Sequence, residues 1–484
     1  MPSLKEREIN REKLLSFTLF INVLIMVMNT SMFTIAVPEI QSDFQLTASL
    51  AAWMVTSYSV CFAVGTLLYG RLTAFFSIPS LLTIGLGLLG IGSVAGMLGD
   101  SYPVLVAARV IQAGGTSAIS ALGIVVVSRY FPIGDRNKAI AMIASASALG
   151  FGLGPLLGGV ISDYLGWRYL FTVSLLGVLT IPIYRRYIPS RVERNGSFDI
   201  TGFLLFSISI ISLLLVVSSG VLWYLLGALC FPLFLFHIKR KQDPFLPLSM
   251  LQDRIYQKAL FLAFTIFFIH FSILFVTPLL LVHIHGKSIA VVGWIVFLGA
   301  LASTIVMKFL GEHVERIGLP RIIGLSTVCM LAGTFLFSGF GDRYPLLVTL
   351  FFFVSSTGFS CVTMGMSNFM TRYLHPEQMT SGYGTIQLIQ FSGGAFGVAL
   401  TGKILEMPFA SDALWNAFWQ DGSQAYSNAY SLLFIAAFAA FAVFLPFYMQ
   451  THQMKLNHKN TASFSRENHA YMNKNKVSRS QAQD

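Results

Sequence analysis

The chain has 484 residues, of which 55% are hydrophobic and 11% are charged, and its mean hydropathy is +0.70. A soluble domain carries about a quarter charged residues, so this composition excludes a water-soluble globular protein. The formal net charge is +11, but the basic residues fall in short loops between apolar runs. That distribution is typical of membrane proteins, and we expect a lipid bilayer rather than nucleic acid as the partner.

The long apolar runs predict transmembrane helices, because about 20 apolar residues cross a bilayer as a helix. Runs of this length favour helices over a transmembrane β-barrel. About fourteen spans are predicted, at residues 14–37, 50–69, 81–98, 104–127, 139–161, 169–184, 200–218, 221–236, 260–282, 290–310, 322–340, 346–366, 381–405 and 430–448.

The predicted spans group into two six-helix bundles with two extra central helices between them. We place the bundles at residues 14–184 and 259–450, and the extra helices with their loops at 185–258. Residues 1–13 form a polar N-terminus. The polar tail at 451–484 has little apolar surface to bury, so we expect it to be disordered.

The loop charges predict how the chain is oriented in the membrane. Loops that lead from even to odd spans are basic, and their residues include Arg71, Arg129, Arg136, Lys138, Arg185, Arg186, Lys239 and Arg240. The alternate loops carry few basic residues. The positive-inside rule therefore predicts a multi-pass protein of the cell membrane with both termini in the cytoplasm.

Two patterns indicate a protein whose helices move relative to one another. The loops that begin at Gly70 and Gly311 have similar sequences and follow the second span of each bundle, as in transporters built from two related halves. The fifth span is unusually rich in glycine. Gly150, Gly154 and Gly158 are four residues apart and share one helical face, on which we expect another helix to slide.

Several motifs resemble those of the major facilitator superfamily. ARVIQAGG from Ala108, GFGLGPLLGG from Gly150 and WRYLF from Trp167 are similar to motifs of its fourth, fifth and sixth helices. NTSMFTIAVPEI from Asn29 resembles the first-helix motif of the fourteen-span drug:proton antiporters, which include tetracycline/proton and multidrug antiporters. The resemblance covers residues 14–448. It implies an all-α membrane protein with the major facilitator fold and secondary active transport.

The resemblance also implies roles for individual residues. Arg109 matches a buried arginine that the family uses in proton transfer and conformational coupling. The antiporter motif corresponds to Gly150, Gly154, Pro155, Gly158 and Gly159. The cytoplasmic gate motif of the second half corresponds to Gly311, Glu315, Arg316 and Gly318, and Asp199 matches an acid that precedes the seventh helix in tetracycline exporters.

The chain departs from the family pattern where acids are expected. The gate motif of the first half has Ala74 in place of an aspartate, and the first-helix acid is replaced by Asn29. Gly394 stands where tetracycline exporters place an acid within the thirteenth helix. These replacements weaken the expectation of cation recognition and of proton coupling through a carboxylate.

Ionisable groups inside a span are costly and usually functional. No Asp or Glu lies in the middle of a predicted span. Arg109 is the clearest intramembrane charge, with Gln112 on the same helical face, although it could instead snorkel to the interface. His270 is a candidate for the titratable coupling group, because its ordinary pKa is near neutrality. The alternative is that His270 only packs between helices.

Uncharged polar side chains are the remaining candidates for a substrate cavity. We expect them to face the cavity, while interhelical hydrogen bonding is an equal alternative; they are Asn22, Asn29, Asn368, Gln387 and Gln390. The four cysteines are scattered through apolar runs, and no nucleotide-binding, metal or nucleophile motif occurs. We therefore expect no cofactor, no metal and no enzymatic activity.

The sequence thus favours a monomeric secondary transporter that exports amphiphilic drugs or antibiotics by proton antiport. A dedicated exporter of one metabolite, or a self-resistance pump, has the same features. A membrane sensor that does not transport is a third reading, and only the altered loop at residues 70–80 supports it.

Overall fold

The computed structural model describes residues 4–190, 199–241, 252–373, 379–407 and 424–444. Within these ranges every regular element is a helix, as the sequence predicted. The tail that was predicted to be disordered lies outside the described residues.

The first half of the chain forms eight α-helices and a short 3-10 helix at Trp167–Tyr169. The α-helices are α1 Leu4–Ile35, α2 Val37–Asp43, α3 Ala48–Leu72, α4 Ile78–Leu98, α5 Tyr102–Tyr130, α6 Ile133–Leu165, α7 Leu170–Val178 and α8 Ile181–Tyr187. Pro38 and Pro182 lie in the first turns of α2 and α8, where proline is tolerated because its missing N–H is not needed. Pro182 lies at a break within the sixth predicted span, whereas Pro38 directly follows the end of the first.

The rest of the chain begins with the extra central helices. These are α9 Ile200–Ser219, α10 Leu225–Ala228 and α11 Cys230–Arg240. The second bundle follows as α12 Arg254–His283, α13 Ile289–Glu312, α14 Val314–Ile317, α15 Leu319–Phe340, α16 Pro345–Tyr373 and α17 Met379–Ile404, with a last helix, α18, at Gln424–Phe444.

Among the described residues, thirteen helices are long and apolar enough to cross a membrane. Every predicted span overlaps a described helix, but α17, which contains the predicted thirteenth span, is not one of the thirteen. Its sequence is rich in glycine, serine, threonine and glutamine. Because α17 packs against α3, α9 and α12, few of its side chains need to suit lipid. The predicted count of fourteen is therefore not confirmed.

Each half has its own apolar core. One large cluster of buried side chains is drawn from residues 15–188, with Leu82, Leu86 and Tyr58 among its members. Another is drawn mainly from α12 to α18, with only a few residues of α1 to α3. α9 and α11 add small clusters at the edge. The chain therefore consists of two helical bundles that meet along an interface.

The two ends of the bundles differ in charge. At one end, here called the basic face, helices end at Arg71 and Arg129, and α12 begins at Arg254. At the opposite end, the acidic face, lie Glu39, Asp163 and Glu406. The positive-inside rule predicts that the basic face is cytoplasmic.

The glycines of the fifth span serve two different contacts. A Cβ added at Gly158 would lie 2.9 Å from the backbone of Met32, so this face of α6 packs on α1 within the same bundle. Gly150 and Gly154 also face α1. A Cβ added at Gly159 would instead lie 2.6 Å from the carbonyl oxygen of Ile289, in α13 of the other bundle. Only Gly159 of these four therefore touches the partner bundle.

Near the acidic face, the bundles make close backbone contacts at two seams. At the first, α6 meets α13 where Gly159 faces Gly293, and a Cβ on Gly293 would lie 2.5 Å from the carbonyl oxygen of Pro155. At the second, α3 meets α17 at Gly402. Small residues allow such backbone contacts, which stabilise helix association where no hydrophobic force acts between helices in lipid.

The extra helices cover only the second seam. Phe206 of α9 and Phe234 of α11 pack against Leu67 of α3 and Leu388 of α17. Nearer the acidic face, Leu214 of α9 packs against residues of α3 and α17. α9 therefore bridges the two bundles along the seam between α3 and α17.

Replacing Gly159 by alanine tests the first seam. The new methyl group has no room beside Ile289 and Gly293, so we expect the closed seam to be destabilised by about 1–3 kcal/mol, as in other overpacked sites. The thermal unfolding temperature of the purified protein in detergent should fall. Gly152→Ala is the matched control, because an added Cβ there meets nothing within 4 Å. Equal unfolding temperatures for the two variants would contradict the seam contact.

Candidate functional site

Arg109 is the charged group enclosed most completely by the first bundle. It lies seven residues into α5, about 10 Å from the acidic end of the helix at 1.5 Å per residue. Its side chain has no exposed surface. A snorkelling arginine would leave its guanidinium in the interface, so this burial does not fit that alternative.

Neutral oxygens surround the Arg109 guanidinium. Nη1 donates to Oδ1 of Asn29 and, at 2.9 Å, to Oε1 of Gln112, while Nε donates to the carbonyl oxygen of Met54 at 3.2 Å. These acceptors are themselves held in place. Gln112 donates to Ser93 at 2.8 Å, and Asn29 donates to Ser174. The network therefore joins α1, α3, α4, α5 and α7.

Two aromatic rings enclose the same guanidinium. Its Cζ lies 4.2 Å from the ring centroid of Phe33 and 4.1 Å from that of Tyr58. The Tyr58 hydroxyl is hydrogen-bonded to Thr116 at 2.8 Å, which fixes the ring. Such cation–π contacts are strongest away from water. Among the described residues, no acidic side chain forms an ion pair with Arg109.

Replacing Arg109 by lysine tests whether this geometry matters. Lysine keeps the charge but lacks the planar fork that reaches Asn29, Gln112 and Met54 together. We expect a loss of about 2–4 kcal/mol in the free energy of unfolding, because buried hydrogen-bond acceptors lose their donor. Chemical denaturation in mixed micelles measures it. Arg185→Lys, at an exposed position on the basic face, should leave stability unchanged; equal losses would argue against the buried network.

His270 lies at mid-membrane depth in a strongly aromatic setting. It is in α12 and 4% exposed, and its ring stacks on Phe359 with centroids 3.7 Å apart and an interplanar angle of 7°. Its Nδ1 atom has no hydrogen-bond partner among the described residues. Phe151 of α6 approaches it from the other bundle, with ring centroids 6.4 Å apart. His270 therefore faces the interface between bundles rather than solvent.

The same depth holds a layer of aromatic side chains that crosses the interface. Phe62 of α3 contacts Phe391 of α17, with ring centroids 4.3 Å apart, and Phe391 in turn lies 5.7 Å from Phe267. Phe267 lies 5.0 Å from Phe359, which is 5.7 Å from Phe151. Each ring is thirteen to sixteen residues from the acidic end of its helix, or about 20 Å. We call this set, with His270, the aromatic layer.

The predicted cavity residues are not brought together. Asn22 is buried within the first bundle, where it donates to Thr180 at 2.9 Å and to the Tyr184 hydroxyl at 3.1 Å. Asn29 belongs to the Arg109 network. These two side chains make the interhelical hydrogen bonds that were the alternative to a cavity role.

The other predicted cavity residues are in the second bundle. Gln387 accepts a hydrogen bond from Ser120 of α5 at 3.0 Å, which joins the bundles on the basic side of the aromatic layer. Gln390 is buried in α17. The side chain of Asn368 lies outside the described residues. Of the predicted set, Gln387 is thus the one described residue with a hydrogen bond across the interface.

The predicted gate residues are only partly described. Gly318 has φ = +88°, a conformation that glycine adopts readily, and it precedes α15. Arg316 is exposed, whereas the surroundings of Gly311 and the Glu315 side chain lie outside the described residues. Asp199 accepts from the Gly202 amide at the start of α9 and is hydrogen-bonded to Nε2 of His237 at 2.7 Å. It therefore joins α9 to α11 at the basic face.

Among the described carboxyl groups outside the spans, Glu39, for which the sequence predicted no role, has the most strongly shifted pKa. Burial raises the pKa of Glu39 to about 7, and the nearby carboxylates of Asp43 and Asp163 add to the effect. Interactions with Ser162 and the Trp167 backbone offset it only in part. One carboxyl oxygen of Glu39 is buried. Asp43 is one turn away in the same helix, α2, but Ser162, Asp163 and Trp167 come from α6 and the turn after it, so the sequence did not indicate their proximity.

This raised pKa predicts how stability depends on pH. Between about pH 4.5 and 7 the folded state keeps a proton on Glu39 that the unfolded state has lost, so stability falls as pH rises through this window. Glu39→Gln is neutral at every pH. We expect its melting temperature to exceed that of the wild type at pH 8 and to match it near pH 4.5. Asp100→Asn, at a 97% exposed side chain on the same face, should show no such trend; a pH-independent gap for Glu39→Gln would refute the prediction.

The fold and this site together define a class of protein. Two helical bundles with an interface at mid-membrane, closed at one face by backbone contacts, are typical of transporters that expose a central site alternately to each side. The sequence profile of the Major Facilitator Superfamily matches residues 19–398. The chain belongs to this superfamily and is a multi-pass membrane transporter, not an enzyme.

Similar proteins of known name indicate to which branch of the superfamily the chain is related. Multidrug resistance protein Stp of Mycobacterium tuberculosis (strain CDC 1551 / Oshkosh) is 28% identical over 405 residues, which cover 80% of this chain and 74% of that protein. Multidrug resistance protein 3 of Bacillus subtilis (strain 168) is 23% identical and covers 85% and 83%. Riboflavin transporter RibZ of Clostridioides difficile (strain 630) is 25% identical and covers 84% and 90%. The multidrug resistance relatives support the drug-transporter branch of the superfamily.

Solved structures share the fold. A peptide transporter POT in complex with sulfate matches with a TM-score of 0.66 and 14% identity, covering 91% of this chain and 94% of that chain. A bacterial homologue of the human lysosomal transporter Spinster, in an inward-facing and unoccupied conformation, matches with a TM-score of 0.61 and 13% identity, covering 92% and 98%. Identities this low support the fold and nothing finer.

Proposed function

We propose that the protein exports amphiphilic drugs or antibiotics across the cytoplasmic membrane, from the basic face to the acidic face, by proton antiport. The observation that carries the proposal is the aromatic layer, which places apolar rings from both bundles at mid-membrane depth. Flat apolar side chains favour ligands with ring systems, because stacking and edge contacts add to burial. The similarity to multidrug resistance proteins supports export.

Charge limits the substrates. The Arg109 guanidinium lies on the acidic side of the aromatic layer, and no acidic side chain among the described residues is paired with it. A dication that enters this region would find a positive charge and no carboxylate, which is unfavourable at low dielectric. We therefore infer that neutral, zwitterionic or anionic amphiphiles are the preferred substrates.

Export requires the bundles to rock about their interface. The substrate enters between the bundles from the basic face or the adjoining lipid leaflet. The contact between Gly159 and Gly293 then separates, the acidic face opens, and the substrate leaves. A proton that enters from the acidic face then returns the protein to the conformation that is open at the basic face. His270 is the candidate coupling group in the aromatic layer, and Glu39 is a protonatable carboxyl group at the acidic face.

A dedicated metabolite exporter is the second candidate. It is favoured by the similarity to riboflavin transporter RibZ, which extends over 90% of that protein. A layer of aromatic rings suits one planar metabolite as well as it suits many drugs. The third reading, a sensor that does not transport, has no support beyond the altered loop at residues 70–80.

Transport into everted membrane vesicles tests both coupling and charge preference. With the interior acidified, we expect uptake of an anionic or neutral fluorescent amphiphile to exceed uptake of a dicationic dye at least about tenfold, and to stop when nigericin removes the pH gradient. His270→Phe keeps the stacking on Phe359 and removes the titratable ring, so it should lose the dependence on the gradient. Uptake that ignores the gradient would reject antiport, and faster uptake of the dication would reject the charge argument.

A growth-inhibition panel in an efflux-deficient host separates broad from narrow export. Protection against many unrelated amphiphiles supports a drug exporter, and protection limited to one compound class supports the metabolite exporter. Arg109→Ala should abolish protection, while Arg185→Ala, at an exposed position on the basic face, serves as the matched control.

A further inference from the structure

The start of α3 is capped in an unusual way. The first amides of an α-helix have no partner within the helix and need acceptors from elsewhere. Thr47 precedes α3 and its hydroxyl accepts from the Leu50 amide at 3.3 Å. The amide of Ser49 is bound instead by Oε1 of Glu406, which lies 357 residues away just beyond α17. One acceptor therefore belongs to the first bundle and the other to the second.

The Glu406 carboxylate is well matched to this position. A helix N-terminus carries a partial positive charge, and a carboxylate there is stabilised by it. The other oxygen of Glu406 lies 3.8 Å from Nζ of Lys403, one turn earlier in α17. The Glu406 side chain is 22% exposed, so water only partly screens its interactions with Lys403 and with the start of α3. Lys403 thus orients the carboxylate towards α3.

Backbone packing beside Glu406 makes the contact part of the second seam. A Cβ added at Gly402 would lie 3.1 Å from Cβ of Ala52 and 3.2 Å from the carbonyl oxygen of Ala48. The Ser49 hydroxyl also donates to the carbonyl oxygen of Ser218 at 2.8 Å, which ties the end of α9 to the same turn. Any movement that separates α3 from α17 at the acidic face must break the bond between Glu406 and Ser49. The bond between Thr47 and Leu50 can survive that movement.

We propose that Glu406 is a positioning residue for transport, which latches the acidic face shut by capping α3 of the opposite bundle. The proposal rests on alternating exposure of the two faces, which the proposed function assumes, but not on the identity of the substrate or of the coupling ion. Loss of the carboxylate weakens only the closed state of the acidic face. Its effect is therefore a shift in population between conformations rather than a uniform loss of stability.

The experiment uses the full-length protein in nanodiscs and a reporter cysteine at the second seam. Ala399→Cys places a thiol in α17, where Ala399 is buried beside Val60 and Leu214. The rate of maleimide labelling at position 399 is followed by peptide mass spectrometry, so the native cysteines are kept. Adding Glu406→Gln should raise this rate about tenfold, because the charge-assisted bond from the Ser49 amide becomes a weaker neutral bond in the closed state alone. An unchanged rate overturns the proposal.

Two further variants exclude simpler explanations. Thr47→Ala removes the cap within the bundle and frays the first turn of α3, which hydrogen exchange of the Leu50 amide detects, but it should leave labelling at position 399 unchanged. If Thr47→Ala accelerates labelling as much as Glu406→Gln, fraying explains the effect and the latch is wrong. Asp100→Asn removes a 97% exposed carboxylate at the acidic face and should also have no effect.

The labelling experiment tests the latch independently of the proposed transport function. The assay contains no substrate and no pH gradient, so it can succeed even if the protein carries a different compound or ion. Conversely, vesicle transport that depends on the gradient, together with unchanged labelling in Glu406→Gln, would keep the antiporter and reject the latch.

Discussion

The contact on which the rest of the structure depends is the approach of backbone to backbone between the two bundles at the acidic face. Gly159 of α6 meets Gly293 of α13, and Gly402 of α17 meets the first turn of α3. Lipid tails are as apolar as the side chains, so moving an apolar side chain from lipid to a helix interface gains little free energy. Close packing and hydrogen bonds must therefore hold the helices together. Contacts made by glycine can close tightly and also separate without leaving large cavities, which suits an interface that opens and closes during transport.

The inside of the first bundle is built differently, around one buried charge. Arg109 is enclosed by Phe33 and Tyr58 and is bonded to neutral oxygens of three helices. A charge inside a membrane protein is tolerated when it is hydrogen-bonded, and here the bonds to Asn29 and Met54 also join α5 to α1 and α3. We therefore expect the bundle to move as one body, with conformational change concentrated at the seams and in the aromatic layer between them.

The polar groups at the acidic face complete this arrangement. Glu39 sits beside the end of α6, with a pKa raised to about 7 by burial and by neighbouring carboxylates, whereas Glu406 bonds the start of α3. The pKa of Glu39 is thus near neutrality, whereas the bond between Glu406 and the Ser49 amide joins the two bundles. Both lie outside the apolar core, at the face that the proposed mechanism opens. The proposed antiport therefore directs the search for a coupling group to this face as well as to the middle of the membrane.

The sequence by itself determined the class of protein, the helical fold and the superfamily, because hydropathy, loop charge and the motifs around Arg109 and Gly150 are local properties of the chain. It also identified Arg109 and His270 as the ionisable groups at depth. It could not show which glycines of α6 contact which bundle, since Gly158 and Gly159 are adjacent in sequence and face different bundles. Nor could it find Glu39 or Glu406, whose roles depend on neighbours contributed by distant helices. α17 shows the same limit, because its low hydropathy is compatible with a membrane only when other helices surround it. Tertiary structure decided these points because pairing between helices, unlike helix formation itself, is set by contacts far apart in the chain.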